Sequence, residues 1–222
     1  MTYNVRSMRD DREALGRVIR SAEPDVVLVQ ESPRFLRWRS LCAELARRSN
    51  LVVVSGGRMA GSNLILSTLG VGVESTTDVL FTPDPKLHRR GTAIAVLSKL
   101  GARFAVAGIH LDLVEAPRLR HIGELEAAIN EHVPADVPVV VAGDANHPPG
   151  SPTWQALTAN RQDAFAVAGT ASPFTWSASD PHDTIDGVFV DRRLRVLSAR
   201  VLEGPDVTAA SDHCPLVTEI EV

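Results

Sequence analysis

Residues 139–142, Val-Val-Val-Ala, form a short β-branched run that breaks at Gly143, and the polar residues Asp144 and Asn146 follow on alternate steps. A run this short, bounded by prolines and glycines, reads as a fully buried strand rather than a helix. Polar groups just past the end of such a strand stand where open α/β sheets hold their ligands. Asp and Asn also end strands simply as turn formers. The feature gains meaning only if other strands end the same way.

Other strands do. Residues 2–6 read as a strand containing Asn4, and residues 26–29 as a second that runs into Gln30-Glu31. Between them Asp10 and Asp11 offer an N-cap for a helix over residues 11–22, in which Ala14, Leu15, Val18, Ile19 and Ala22 form one apolar stripe. A second helix is expected over residues 34–48, with Phe35, Leu36, Trp38, Leu41, Cys42 and Leu45 turned inward. Its arginine face (Arg34, Arg37, Arg39, Arg47, Arg48) reads as solvated surface. From 51 to 107 the pattern changes to short strands (51–54, 63–67, 71–79, 92–99, 103–108) broken by Gly, Pro, Asn and Ser, hairpin-like rather than βαβ. Lys86-Leu-His-Arg-Arg-Gly91 leads into the fourth, and the fifth ends in Ile109-His110-Leu-Asp112. A helix over 117–130, with Leu119, Ile122, Leu125 and Ile129 at helical spacing, precedes the 139–142 strand, and Ser151-Pro152 starts a shorter helix over 152–159. Asp186 then opens a strand over 187–190, another covers 194–203, and Ser211-Asp-His-Cys-Pro215 leads into a closing strand over 216–220.

One domain over residues 1–222 is expected, since 44% hydrophobic and 23% charged residues support a sizeable core and no repeat or low-complexity linker divides the chain. The net charge of −4 supplies no global basic field for nucleic acid, although a local patch is compatible with it. Cys42 and Cys214 match no metal or redox spacing and read as two buried thiols. The N-terminus has no apolar signal core and no run of about 18 apolar residues occurs, so a soluble cytoplasmic protein is expected. The chain nevertheless starts almost inside its first strand, as a trimmed sequence would.

Asn4, Glu31, His110, Asp144 with Asn146, Asp186, and Asp212 with His213 thus all lie in or at the ends of predicted strands. Each alone is an ordinary cap, turn or structural histidine. Together they are the parts needed to hydrolyse a phosphate ester with a divalent metal. Such esters are anionic and resist attack, so charge on the phosphoryl oxygens must be neutralised as the transition state forms. A carboxylate such as Glu31 suits Mg2+ (or Mn2+), which keeps most of its waters. Amides hold a phosphoryl oxygen or metal water without competing for protons, and Asp144 can orient or deprotonate the attacking water. Histidines hydrogen-bond non-bridging oxygens, and a carboxylate partner keeps such a ring protonated.

In order along nearly the whole chain, Thr2-Tyr-Asn4, Val29-Gln-Glu31, Arg90-Gly91, Ile109-His110, Gly143-Asp-Ala-Asn146, Thr184-Ile-Asp186 and Ser211-Asp-His-Cys-Pro215 resemble the endonuclease/exonuclease/phosphatase superfamily. That group includes deoxyribonuclease I, exonuclease III, the deadenylases and neutral sphingomyelinases. The resemblance implies an α/β (α+β) fold of the deoxyribonuclease I-like kind: a four-layer α/β sandwich of two packed mixed β-sheets flanked by helices, with the site at one end of the sheets. It implies Glu31 as principal metal ligand, with Asn4 supporting the metal or its water and Asp212 beside it. Asp144 would position or activate the water, Asn146 would bind a phosphoryl oxygen, and His213, oriented by Asp186, would hydrogen-bond the phosphate. His110 would be the second phosphate-contacting histidine and Arg90 a further phosphate contact. Ala145 stands where an aromatic is common and Gly187 where Tyr is usual, so smaller side chains beside the site bear on substrate fit.

The implied activity is Mg2+- or Mn2+-dependent hydrolysis of a phosphodiester by in-line attack of an activated water, with nucleic acid as the leading substrate class. Arg90, His88, Arg89 and the arginine face would then meet backbone phosphates. The alternative is a smaller phosphoester: a lipid headgroup, nucleotide or sugar phosphate. Few aromatics (one Tyr, three Trp, six Phe) for base stacking and little length for DNA-gripping loops favour it. The inositol polyphosphate phosphatases carry Trp-Cys-Asp-Arg where this chain has Thr184-Ile-Asp-Gly187. His147-Pro-Pro-Gly-Ser-Pro-Thr-Trp154 resembles the deadenylase, sphingomyelinase and general nuclease side rather than the apurinic endonucleases, with Trp154 itself packing beneath the site. A catalytically silent binding module would have lost a core residue, and none is lost. No protein partner is implied, and a monomer is expected.

Overall fold

The computed structural model describes every residue from Met1 to Val222 and folds them into two β-sheets packed face to face, with helices on both outer faces. The first sheet orders its seven strands as Gly169–Thr170 (β10), Arg195–Val201 (β12), Leu216–Glu221 (β13), Thr2–Asn4 (β1), Val26–Gln30 (β2), Asn63–Ser67 (β4) and Val52–Gly57 (β3). The second orders six: Gly72–Leu80 (β5), Gly91–Lys99 (β6), Ala102–His110 (β7), Val139–Asp144 (β8), Asp186–Asp191 (β11) and Arg161–Asp163 (β9). Helices Arg12–Ser21 (α1), Trp38–Arg48 (α2) and Pro205–Ala210 (α6) cover the first sheet, while Glu115–His132 (α3) and Pro152–Thr158 (α4) cover the second. A short helix, Ala164–Ala168 (α5), follows β9. Both sheets mix parallel and antiparallel pairs.

The strand pattern explains the layering. In β8, Val139 and Val141 pack among the α3 and α4 side chains Ile122, Leu125, Ile129 and Leu157, whereas Val140 and Ala142 face Leu28 and Leu216 of the other sheet. Alternate residues enter different cores, yet both faces are covered, so the sequence reads as one continuous apolar run. Each such buried valine contributes roughly 1.5–3 kcal/mol relative to exposure. α1 begins where Asp11 accepts hydrogen bonds from the backbone N–H groups of Glu13 (2.8 Å) and Ala14 (3.0 Å), and α4 where Ser151 Oγ accepts from Trp154 N–H (3.2 Å).

Some expectations fail for identifiable reasons. The helix expected from residue 34 starts at Trp38, because Arg37 adopts a left-handed conformation (φ 63°) that interrupts it. Phe35 and Leu36 therefore lie in a loop, 72% and 89% exposed, rather than inward. In α3, Leu119 is exposed and the neighbouring Arg118 is buried in its place, donating to Thr153 Oγ1 (3.0 Å) and to the carbonyls of Asp112 (3.1 Å) and Leu113 (2.7 Å). Ala145 does not flank the substrate side of the site: it is fully buried beneath α3 and α4. At Gly187 a Cβ would come within 2.7 Å of Phe189 and 2.9 Å of Trp154, so those rings fill the space a larger residue would need. Trp154 packs edge-on against Phe189 (5.0 Å between ring centres), a core role as expected, and both cysteines are buried free thiols. No helix is long and apolar enough to cross a membrane.

Candidate active site

Strand register builds the site. β7 runs parallel to β8 with His110 opposite Asp144, and β11 runs antiparallel to β8 with Asp186 opposite the same residue. His110, Asp144 and Asp186 therefore form one row across the end of the second sheet. Gly143 permits that close approach: its φ of 152° and the carbonyl oxygen of Ile109 leave no space for a Cβ. From the first sheet, β1 and β2 end side by side at Asn4 and Gln30. There Asn4 Nδ2 donates to Asp144 Oδ2 (3.1 Å) and to Glu31 Oε1 (3.3 Å), tying the two sheets together.

Asp144 is the centre of this arrangement. Its Oδ1 accepts from the Asn146 backbone N–H at 2.9 Å, while Oδ2 lies 3.5 Å from His110 Nε2 and 3.8 Å from His213 Nε2. His213 Nδ1 is 2.9 Å from Asp186 Oδ2. Thr175 Oγ1 fixes Asp186 by accepting from the backbone N–H groups of Ile185 and Asp186, both at 3.1 Å. Ser211 Oγ latches the His213 loop to β1 by donating to the Asn4 carbonyl (2.7 Å). Glu31 (φ 50°) and Asn146 (φ 51°) both hold left-handed backbone conformations, a state uncommon for Glu and readily adopted by Asn.

Burial and neighbouring charge then set the protonation states. Burial, with the Asp186 carboxylate next in weight, pushes Asp144 up to about 7 against the pull of His213 and the Asn146 and Asn4 hydrogen bonds. Burial alone would lower His213, but the charge and hydrogen bond of Asp186, joined by Asp144 and Asp212, raise it to about 10. His110 goes the other way, well below its ordinary value, because it is buried and faces Arg90 and His213. One ring is an imidazolium and the other a neutral imidazole. Arg90 is buried beside Asp112, its Nε 3.8 Å from Asp112 Oδ2 and without a hydrogen-bond acceptor, a donor left for something else.

The arrangement unites Asn4, Glu31, His110, Asp144, Asn146, Asp186 and His213, with Arg90 adjoining. Asn146 keeps one amide N–H free, its side chain otherwise donating to the Leu111 carbonyl at 2.9 Å. Asp212 is partly exposed and paired with Arg6 Nε (3.3 Å). Asp144, Asp186 and His213 bring ligand-type atoms within 4.8 Å of one another, consistent with a metal site. Glu31 offers a second position, since its carboxylate is steadied by Asn4 and makes no ion pair. Two contributors were not evident from the sequence as site residues, Thr175 and Asp112, and Arg34 stood out from the arginine face only in the structure, where its Nη2 lies 3.4 Å from His88 Nδ1. The first two lie in or beside segments with no periodic pattern, and the third looked like one of five equivalent surface arginines. A cavity of about 610 Å3 lies elsewhere, between the sheets at the opposite strand ends around Val26, Ala102 and Phe104.

Solved structures share this fold. No curated protein sequence matches the chain. Among solved structures, an endonuclease/exonuclease/phosphatase from Bacteroides vulgatus is 21% identical with a TM-score of 0.82, covering 100% of this chain and 97% of that one. A mannosyl-6-phosphatase from Bacteroides thetaiotaomicron is 15% identical with a TM-score of 0.84, over 100% and 98%. TDP2 from D. rerio, complexed with a single-strand DNA product, is 17% identical with a TM-score of 0.74, over 100% and 97%. At such identities the likeness is one of fold. Residues 1–213 match the model of the Endonuclease/Exonuclease/phosphatase family, and the chain belongs to that family of phosphoester hydrolases.

Proposed function

We propose that this protein hydrolyses a phosphoester by in-line attack of a water that Asp144 positions and deprotonates. The observation that carries the reading is the row His110–Asp144–Asp186 with the His213 imidazolium beside it and Glu31 across from it. Asp144 Oδ2 is the acceptor for the water's proton, and its raised pKa makes it a base matched to neutral pH. His213 donates its Nε2 proton as a charged hydrogen bond to a phosphoryl oxygen, strongest when negative charge builds there. The free amide N–H of Asn146 and the neutral His110 ring supply further contacts, and Arg90 meets the ester's charge from the side.

Glu31 would hold the Mg2+ or Mn2+, with Asn4 behind it and Asp212 nearby. The His213 ring, whose Nδ1 is engaged by Asp186, is assigned the phosphoryl contact rather than the cation in this reading. A cation at Glu31 supplies neutralisation of phosphoryl charge. Of the two substrate classes the sequence leaves open, the surface favours a smaller phosphoester over nucleic acid. Exposed side chains on the Arg90 side include Leu36, Leu87 and Leu113, which cannot stack on bases, beside the single ring of Phe35.

Titration with Mn2+, followed by calorimetry, tests the metal assignment. Glu31→Gln is expected to weaken Mn2+ binding by on the order of tenfold to a hundredfold, and Asp186→Asn to leave it within about threefold. The reverse pattern would move the cation to the His213 cluster.

A further inference from the structure

We propose that the Arg90 side of the site is a docking surface for an anionic phospholipid bilayer, from which the phosphoester is presented to Asp144. The chemistry in this proposal rests on the hydrolytic reading above; the docking does not. Four loops meet on that side. Ser32 joins the loop after β2 to the 58–62 loop through its N–H and Oγ, which both donate to the Ser62 carbonyl (2.9 and 3.0 Å). Arg34 and His88 join the first loop to the segment before β6 (3.4 Å). Arg90 joins that segment to the loop after β7 through Asp112 (3.8 Å), which in turn accepts from Val114 N–H (3.2 Å).

Each loop carries large apolar groups into solvent: Phe35 and Leu36, Met59, Leu87, and Leu113 with Val114. Leu36 is 89% and Leu113 73% exposed, values that no requirement of folding explains. Across the site, the loops carrying Asn146, Thr175 and His213 expose one comparable residue, Phe174, so the apolar groups are concentrated on one side. The same four loops carry Arg34, Arg37, Arg58, Lys86 and Arg89, none of which forms an ion pair, in a chain whose net charge is −4. Aliphatic tips set among unpaired cations match the two layers of an anionic membrane surface: the tips enter the acyl boundary and the cations stay with the headgroups. Single-stranded nucleic acid would use the same cations but needs aromatic faces for its bases. Five of the six apolar groups lack one.

Co-sedimentation with vesicles of equimolar phosphatidylcholine and phosphatidylglycerol tests the proposal, alongside turnover of soluble bis-p-nitrophenyl phosphate. The wild-type chain is expected to partition onto these vesicles and much less onto phosphatidylcholine alone. Phe35→Ser with Leu36→Ser and Leu113→Ser should lower partitioning by at least about tenfold while soluble turnover stays within about twofold. Lys86→Glu with Arg89→Glu should lower partitioning onto the anionic vesicles and remove its salt dependence. Absence of wild-type partitioning, or a triple variant that binds as well as wild type, would overturn the proposal. So would a triple variant that loses affinity for an oligothymidylate while vesicle binding is unchanged. A wild-type chain that binds vesicles but leaves the soluble ester intact overturns the hydrolytic reading alone.

Discussion

His213 and His110 stand on either side of Asp144, at 3.8 and 3.5 Å from the same carboxylate oxygen, and both are almost wholly buried. They nevertheless differ in charge, His213 being cationic and His110 neutral. Behind His213 lies Asp186, at hydrogen-bond distance and itself fixed by Thr175. Beside His110 lies Arg90, with no carboxylate behind the ring. Burial disfavours an imidazolium in both places, and the neighbouring charge decides which ring keeps its proton. The difference divides the labour between a charged donor on the β11 side and a neutral contact on the β7 side.

The largest expected consequence of breaking this comparison comes from His213→Ala, which should cost on the order of a hundredfold or more in kcat by removing the charged donor. Asp186→Asn should cost less, on the order of tens-fold, because the ring remains but loses the partner that keeps it charged. A pH profile of kcat/KM checks it: the basic limb that His213 sets near about 10 should move down toward 6.5 in that variant. His110→Asn should cost about tenfold or less and leave the basic limb in place, since a neutral contact is lost rather than a cation.

Stability should follow the same division. The folded-state pKa of His213 lies above its ordinary 6.5, so its contribution is fully present below about 6.5 and is lost as pH rises through about 10. Asp144, raised from 3.8 to about 7, costs stability as pH climbs between those values. Denaturant midpoints measured from pH 6 to 10 should therefore fall at the alkaline end, and should fall less in Asp186→Asn. The smallest effect belongs outside the row: Gly187→Ala should destabilise the fold by about 1–3 kcal/mol, because its Cβ must displace Phe189 or Trp154. Turnover should barely change.

The strand-end groups were legible because a strand buried on both faces passes abruptly from apolar to polar where it leaves the core, and β8 does so at Asp144. The row itself was not, since register depends on pairing between strands far apart in the chain. Phe35 and Leu36 fit a helical pattern until Arg37 turned left-handed and put them in solvent. Leu119 fitted the α3 stripe, but Arg118 took the buried position because its guanidinium satisfies carbonyls of the loop after β7. Thr175 and the Arg34–His88 contact leave no periodic trace, since one acts through a bridge between loops and the other spans 54 residues.

Everything in the proposed chemistry passes through Asp144, so its removal is the most direct test. Hydrolysis of bis-p-nitrophenyl phosphate should require Mg2+ or Mn2+, cease with EDTA, and fall by on the order of a thousandfold in Asp144→Asn with its fold intact by circular dichroism. Turnover in Asp144→Asn within about tenfold of wild type would contradict Asp144 as the base at the centre of the site.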